Sequence, residues 1–260
     1  MRAQRPQHAQ HAQARERRER HGTVTVATPG CTLVASSFDA SDEGWRVARN
    51  GAAESAPRHE PGSWQRLNQY IHATDALINL EVDRVGATGD DLDRWVFAAP
   101  AKFLGNHGMA YRGALEFALV AALGEFEPAA LNGGAQQFLA ELECASCARG
   151  EGVRLGFPLA DAAPFDGGAA GVAYALPLDE TLGWVKDPKN SLKTWWRPTQ
   201  CEMIQVLSAL SAVRILGDFS RATETIALDD VRFVQPAPGP EATIPLCAQG
   251  SADAIICTCP

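Results

Sequence analysis

Two apolar stretches on either side of a glycine-rich loop constrain this chain more than any other feature. Trp95 to Ala98 is a run of aromatic, β-branched and small residues, and Ala114 to Leu119 alternates with a period of two. Between them, Pro100 cannot donate to a strand ladder, and glycines allow backbone conformations that other residues resist. The segment Arg94 to Leu119 therefore predicts a strand, an ordered loop and a second strand.

The same segment resembles the hallmark of the laminin IV type A domain, also called laminin B. In that pattern an aromatic residue and a short apolar stretch precede Ala-Pro, a basic or polar residue, Phe-Leu-Gly and a Ser-Tyr-Gly-Gly turn. The matching residues are Trp95, Ala99, Pro100, Lys102, Phe103, Leu104, Gly105, Tyr111 and Gly113. Ala110 replaces the serine and Arg112 replaces the first glycine, so the turn departs most from the family pattern.

Two further segments follow the order of this family. Ser37 to Trp45 is similar to its opening strand and turn, where a phenylalanine and an Asp/Glu-Gly-Trp group begin the fold. Val206 to Phe219 and Ile226 to Phe233 resemble its closing part, which ends in a strand around Asp-x-Val. The resemblance covers residues 36–234. It implies a mainly β fold, a single β-sandwich of jelly-roll type related to galactose-binding-like domains.

Length and composition agree with one large β domain. The chain has 260 residues, 46% of them hydrophobic, which is enough for a sizeable core. No apolar run approaches the roughly 18 residues of a membrane-spanning helix, so we expect no membrane insertion. Thr199 to Leu210 has apolar residues at helical spacing, and Thr199 with Glu202 has the spacing of a capping box. We therefore expect one short helix beside the sandwich.

The other segments divide the chain into a tail, the domain and a linker. Residues 1–22 contain few large apolar side chains and predict a disordered basic tail, whereas the prolines after residue 235 predict a linker over 235–260. Within the domain we expect loops at 48–66 and 160–171, a hairpin from 137–143 and 153–159, and a strand beginning at Leu182 to Trp184. No apolar signal core follows Met1, so we expect either that the sequence begins inside a longer protein or that its start is wrongly assigned.

Charge limits the classes of partner. The formal net charge is −8 although the tail is basic, so the predicted domain is strongly acidic. Nucleic-acid binding needs clustered lysines and arginines, so we expect that this acidic domain does not bind nucleic acid. The sequence contains no Gly-x-Ser-x-Gly elbow, no phosphate-binding loop and no His-Glu-x-x-His motif, so we expect no enzymatic activity.

Seven cysteines suggest disulfides in an extracellular setting. Cys144 and Cys147 form a lone CxxC without a second zinc-ligand pair or a thioredoxin-type helix, which favours a structural disulfide, local or long-range. Cys247, Cys257 and Cys259 are the other disulfide candidates. The terminal Cys-Thr-Cys-Pro resembles the start of the EGF-like repeats beside laminin IV domains, although it lacks the Gly-Tyr-x-Gly continuation and is therefore truncated.

Four aspartates suggest a calcium site. Asp39 and Asp42 lie in the first turn, and Asp229 and Asp230 lie in the last strand, which tends to neighbour the first strand in such sandwiches. Oxygen-rich loops of this kind can hold Ca²⁺. The alternative, that these are turn-forming and surface carboxylates, is favoured because no Asp-x-Asp-x-Asp-Gly loop is present. Calcium is the one cofactor that we consider.

Trp195, Trp196 and Arg197 suggest a platform on which a sugar ring stacks while its hydroxyls bond to polar side chains. Core or lid packing is the alternative use of these tryptophans, whereas Trp45, Trp95 and Trp184 match family positions that are typical of a core. The resemblance implies a non-catalytic extracellular structural or adhesion module whose partners are matrix proteins or glycans. The second hypothesis is a carbohydrate-binding module of a secreted protein.

Overall fold

The computed structural model describes residues 31–49, 54–62, 67, 69–74, 95–123, 137–165, 171–190, 192–219 and 224–236. Its elements are β1 (Thr32–Ser36), β2 (Arg46–Arg49), β3 (Arg58–Glu60), β4 (Tyr70–Thr74), β5 (Trp95–Ala98), β6 (Ala114–Leu123), β7 (Phe138–Cys144), β8 (Val153–Pro158), β9 (Val172–Pro177), β10 (Val185–Lys186), α1 (Gln200–Ser208), β11 (Ala212–Leu216) and β12 (Thr225–Val234). The predicted tail, residues 1–22, and Cys247, Cys257 and Cys259 lie outside the described residues. Within the described part, no helix is long and apolar enough to cross a membrane.

Two antiparallel sheets form the predicted mainly β sandwich. In the first sheet the order is β3-β4-β12-β6-β9, and β1 also pairs with β12. In the second the order is β10-β8-β7-β11-β5-β2. Side chains from both sheets, such as Phe117 and Leu228 from the first and Phe97 and Leu142 from the second, join one buried hydrophobic cluster. The apolar face of each sheet is therefore covered by the other.

Strand β12 organises the first sheet because it changes partner along one edge. Its first half, Thr225 to Leu228, pairs with β4, and its second half, Val231 to Val234, pairs with β1. The change occurs at Asp229 and Asp230, where the register with β6 on the opposite edge also shifts. The first and last strands of the described fold are thus neighbours, as the sequence predicts.

The hydrophobic core contains the three tryptophans expected there. Trp45 and Trp95 have no exposed surface and Trp184 is 1% exposed. Trp95 makes an edge contact with Phe97, and Trp184 makes one with Phe157 at 5.5 Å between ring centroids. Each buried aromatic ring stabilises the fold by roughly 2–3 kcal/mol through the apolar surface that it removes from water.

Helix α1 begins and packs as its sequence predicts. The Thr199 side chain accepts a hydrogen bond from the Glu202 backbone N–H, and the Glu202 carboxylate accepts one from the Thr199 backbone N–H at 2.8 Å. These two bonds form the predicted capping box and satisfy donors that a helix start leaves free. Met203, Val206 and Leu207 lie buried against the core, so the helix packs on the sandwich by one face.

The predicted hairpin is confirmed, whereas one predicted loop and the start of one predicted strand need correction. Strands β7 and β8 pair antiparallel around the turn that contains Cys147. Within residues 48–66, Arg58–Glu60 forms the edge strand β3 against β4, and Ser55 bonds to Val47 of β2. The strand expected to begin at Leu182 begins instead at Val185, because the Leu182 N–H donates to the Asp179 carbonyl at 3.1 Å in a turn and Gly183 has φ +87°.

Candidate functional site

The three family-like segments meet in one aromatic cluster, which we call the motif junction (Phe38, Trp45, Phe103, His107 and Phe233). Trp45 contacts Phe38 and Phe103 edge-on, with ring centroids 6.1 and 5.4 Å apart. Phe233 of β12 lies 5.9 Å from Phe103 and 5.2 Å from His107. The four phenylalanine and tryptophan rings have no exposed surface, so this cluster is core rather than a cleft.

An ion pair joins the opening segment to the hallmark segment at the edge of this junction. Lys102 Nζ contacts the Glu43 carboxylate and donates to the Ala35 carbonyl at 2.6 Å. Glu43 Oε1 also accepts the backbone N–H groups of Ser37 and Phe38, at 3.1 and 2.7 Å. Burial alone raises the pKa of Glu43, but the bonds from Lys102 and Phe38 outweigh it, and the pKa lies below its usual value.

Backbone hydrogen bonds fix the hallmark loop, residues 99–113, to the end of α1. Gly105 and Leu210 exchange two bonds at 2.8 and 2.9 Å, and the His107 N–H donates to the Leu207 carbonyl at 2.7 Å. Gly105 has φ +84°, a conformation that favours glycine. The loop is therefore held by the segment that closes the fold, more than 90 residues later in the chain.

His107 serves packing in this arrangement. Burial lowers the pKa of the His107 imidazole below its ordinary value, so the ring stays neutral at physiological pH. Its Nε2 is buried without a hydrogen-bond partner among the described residues. The ring lies against Phe233, as an aromatic member of the junction.

The altered turn has a backbone conformation that favours glycine. Arg112, which occupies the position of a family glycine, has φ +62°. Its guanidinium lies over the Tyr111 ring at 5.4 Å, and its Nε is 3.8 Å from an Asp179 oxygen. Next to it, a Cβ on Gly113 would overlap the Val234 carbonyl group, which explains the glycine there.

The four aspartates expected near calcium have roles in turns and in a strand irregularity. Asp39 accepts from the Ser37 hydroxyl at 2.7 Å, and Asp42 accepts from the Gly44 N–H at 2.9 Å. Buried Asp229 accepts from the N–H of Asp230, which has φ +51° at the register shift of β12. Among the described residues, no three His, Cys, Asp or Glu side chains are grouped so that they could hold a metal ion.

The predicted sugar platform is divided between two environments. Trp195 packs against the Phe138 ring at 4.2 Å, and the Arg154 guanidinium lies over its face at 5.1 Å. Trp196 is 45% exposed, with Lys186 Nζ 5.7 Å from its ring centre, and Arg197 is exposed. Trp195 therefore follows the packing alternative, and only Trp196 presents a free aromatic surface.

A charged network lies on the outer face of the second sheet and reaches Trp195 through Arg154, and sequence reasoning missed it. Arg214 of β11 contacts Glu143 of β7 at 2.8 Å and Glu141 at 3.8 Å, while Arg154 contacts Asp187 at 2.8 Å. Burial raises the pKa of Glu141, although Arg154 and Arg214 oppose this shift. The alternation of Glu141 and Glu143 between apolar residues was the available signal.

The cysteines of the hairpin form a disulfide between Cys144 and Cys147, which confirms the local structural alternative. It closes the turn between β7 and β8, where Cys144 has no exposed surface and Cys147 is 9% exposed. The disulfide therefore joins the last residue of β7 to the turn that follows it, and β8 begins only at Val153.

Comparison with known proteins decides the family. The family model for Laminin B (Domain IV) matches residues 96–245, more than half of the chain. This chain belongs to the Laminin B (Domain IV) family. The Laminin B match includes the hallmark loop, α1 and β12, so the resemblance seen in the sequence is confirmed.

Two relatives give the scale of the Laminin B similarity. Laminin subunit gamma-1 of Homo sapiens is 25% identical over 224 residues, which are 85% of this chain and 11% of that protein. The present chain therefore spans about a tenth of the length of that relative. The L4b domain of human laminin alpha-2 aligns over 80% of this chain and 100% of its own length, with TM-score 0.57 and 12% identity. That second similarity concerns the fold alone.

Proposed function

We propose that this chain is a non-catalytic extracellular module that acts as a rigid structural or adhesion element of a longer matrix protein. The observation that supports this most is the motif junction, in which the family-like segments contribute buried rings. Phe103 and Trp45 fill the core, and the hallmark loop is bonded to α1 through its backbone. Ligand-binding loops are commonly drawn from less stable parts of a structure, whereas this loop is built into the core.

The extracellular location is supported by the hairpin disulfide. Disulfides persist in oxidising compartments and are rare in the cytosol. Secreted protein made in cultured cells can be unfolded without reductant and its thiols counted. We expect no reaction at Cys144 and Cys147 before reduction, and full reaction of all seven cysteines in the unfolded, unreduced protein would contradict the proposed compartment.

The matrix role is tested by fusing the full chain to a secretion signal and measuring its retention in the matrix that cultured cells deposit. An unrelated secreted β-sandwich of similar size gives the background. Retention above this background after mild salt extraction supports an adhesion role. Recovery of the whole protein in the medium would contradict adhesion and leave only the spacer role, for which a rigid, cooperatively folded domain suffices.

Carbohydrate binding is the second candidate function, and one observation favours it. Trp196 exposes 45% of its surface beside the positively charged Lys186, whereas the other four described tryptophans are buried or, in the case of Trp195, packed against Phe138. A flat ring with adjacent polar groups is suited to the apolar face of a sugar. Trp195 does not contribute its face to such a platform, since Phe138 and Arg154 cover it.

A further inference from the structure

A short basic and aromatic segment stands out from the acidic chain. Residues 186–197 contain four basic side chains, one acidic side chain and two tryptophans, whereas the whole chain has a net charge of −8. We define the Trp196 patch as Lys189, Lys193, Trp196 and Arg197, all of which are exposed. The patch joins positive charge to an accessible aromatic ring.

The backbone holds this patch in a defined place at the edge of the second sheet. Lys186 of the edge strand β10 forms a bridge with Trp196, with the Lys186 N–H donating to the Trp196 carbonyl at 2.7 Å. Trp195, the preceding residue, is anchored between Phe138 and Arg154. One tryptophan thus fixes the chain to the sheet, and the next one faces outward.

The cations of this segment divide into structural and available ones. Lys186 is paired with Glu202 of the capping box, and the side chains of both residues are 20% exposed. Lys189 donates to the backbone carbonyl of Glu151, and it forms no ion pair with any described residue. No ion pair involving Lys193 or Arg197 occurs within the part of the chain that the structure describes. These three exposed cations lie within seven residues of Trp196 in the sequence and have no ion pair among the described residues.

We propose that the Trp196 patch binds an anionic polysaccharide. The Trp196 ring would stack on the apolar face of a sugar, and Lys193, Arg197 and Lys189 would contact its sulfate or carboxylate groups. A flat ring beside several cations matches a polymer that repeats a sugar face and an anionic group. An acidic peptide would use the cations alone. The proposal specifies the ligand class for the second candidate function, carbohydrate binding at Trp196, and it depends on the matrix-module function only for the extracellular compartment where such a polymer is met.

Binding of the full chain to immobilised heparin tests this proposal, with neutral dextran and poly-glutamate as alternative ligands. We expect salt-dependent binding to heparin and none to dextran, because contacts between fixed charges release counterions. Trp196→Ala and the double variant Lys193→Gln/Arg197→Gln should each weaken heparin binding about tenfold, a loss of about 1.4 kcal/mol. Trp196→Phe should retain most of the affinity.

The matched control is Arg46→Gln/Arg58→Gln, which removes the same charge from exposed positions on β2 and β3. β2 forms the opposite edge of the second sheet from β10, and β3 belongs to the other sheet. This control should bind heparin as the unaltered chain does, and circular dichroism should show that every variant is folded.

Three results would overturn the proposal. An equal loss of heparin affinity in the Arg46→Gln/Arg58→Gln control would show a general effect of net charge rather than a binding site. Equal binding of poly-glutamate that Trp196→Ala leaves unchanged would indicate an acidic protein partner. Absence of heparin binding by the folded chain would remove the patch as a site. A Trp196→Ala variant that no longer binds heparin but is still retained in the matrix would support the module function. The matrix-module proposal and the polysaccharide proposal can therefore be disproved independently.

Discussion

Arg112 shows how a single residue can keep a family turn while changing its chemistry. It has φ +62°, in the left-handed region that glycine adopts without steric cost. A residue with a Cβ incurs about 1–2 kcal/mol there. The contacts with Tyr111 and Asp179 offset part of this cost, although the Arg112 side chain is 58% exposed and such an ion pair is weak.

Two substitutions at Arg112 separate the backbone cost from the side-chain contacts. Both Arg112→Gly and Arg112→Ala remove the contacts, but only glycine relieves the strained backbone. We therefore expect the glycine variant to be more stable than the alanine variant by about 1 kcal/mol in urea unfolding. An alanine variant of equal or greater stability would show that residue 112 is not held at positive φ.

Glu43 makes the stability of the motif junction depend on pH. Its pKa in the folded protein lies below the usual value of 4.5, so its pairing stabilises the fold above that pH. The contribution is lost as the pH falls through the lowered folded-state pKa. Glu43→Gln should reduce stability at pH 7 by about 1 kcal/mol, a small value because the pair is partly exposed.

The measurement is the free energy of unfolding of both proteins between pH 7 and pH 3. The difference between them should shrink as the pH falls, since the unaltered protein loses what the variant already lacks. Glu202, whose pKa is also lowered, remains in both proteins and cancels from the difference. Substitution of the exposed Glu54 by glutamine serves as the control. A stability difference between the unaltered protein and Glu43→Gln that grows as the pH falls would contradict a lowered pKa of Glu43.

At the scale of elements, the sequence predicted those strands and the helix whose own residues alternate with period two or recur at helical spacing. β5, β6, the β7–β8 hairpin and the capped α1 have alternation or helical spacing. β3 was missed because Arg58-His-Glu60 has no apolar face, and its strand conformation depends on pairing with β4. The sugar hypothesis used sequence neighbours, but Trp195 packs against Phe138 whereas Trp196 is exposed. The calcium hypothesis joined the first turn to the last strand, and the structure shows local hydrogen bonds for the aspartates at both places.

The hallmark loop contains a glycine whose role can be tested at the scale of two packed elements. A Cβ at Gly113 would overlap the backbone carbonyl of Val234 in β12, which cannot move without disturbing the sheet. We expect Gly113→Ala to destabilise the protein by about 3 kcal/mol. Gly62→Ala, where a Cβ meets nothing within 4 Å, is the matched control and should change stability by less than about 0.5 kcal/mol. Similar urea midpoints for the two variants would contradict the close approach.

The whole molecule is a sandwich joined by contacts between residues that are far apart in sequence. The Glu43–Lys102 pair spans 59 residues, and His107 and Phe233 belong to the second and third family-like segments. Such contacts could not be derived from periodicity, because spacing within one segment does not specify its distant partner. The family resemblance predicted the β-sandwich. The structure shows the motif junction, in which the three family-like segments contact one another.

The turn and strand roles of the four aspartates predict a molecule whose stability is independent of calcium. Asp39, Asp42 and Asp229 accept local hydrogen bonds, and Asp230 occupies a left-handed position. Thermal unfolding should give the same midpoint in millimolar Ca²⁺ and in excess chelator. A midpoint that rises with calcium concentration would show a bound ion, since a ligand of the native state stabilises by mass action.

Native-state hydrogen exchange tests the central claim, that the family segments form one rigid core junction. The N–H groups of Gly105, His107 and Leu210 bond across the hallmark loop and the end of α1. We expect these three amides to exchange only through global unfolding, with the same free energy as Ile226 and Leu228 in β12. A free energy of exchange several kcal/mol lower for these amides than for those of β12, as expected for an exposed binding loop, would contradict the motif junction.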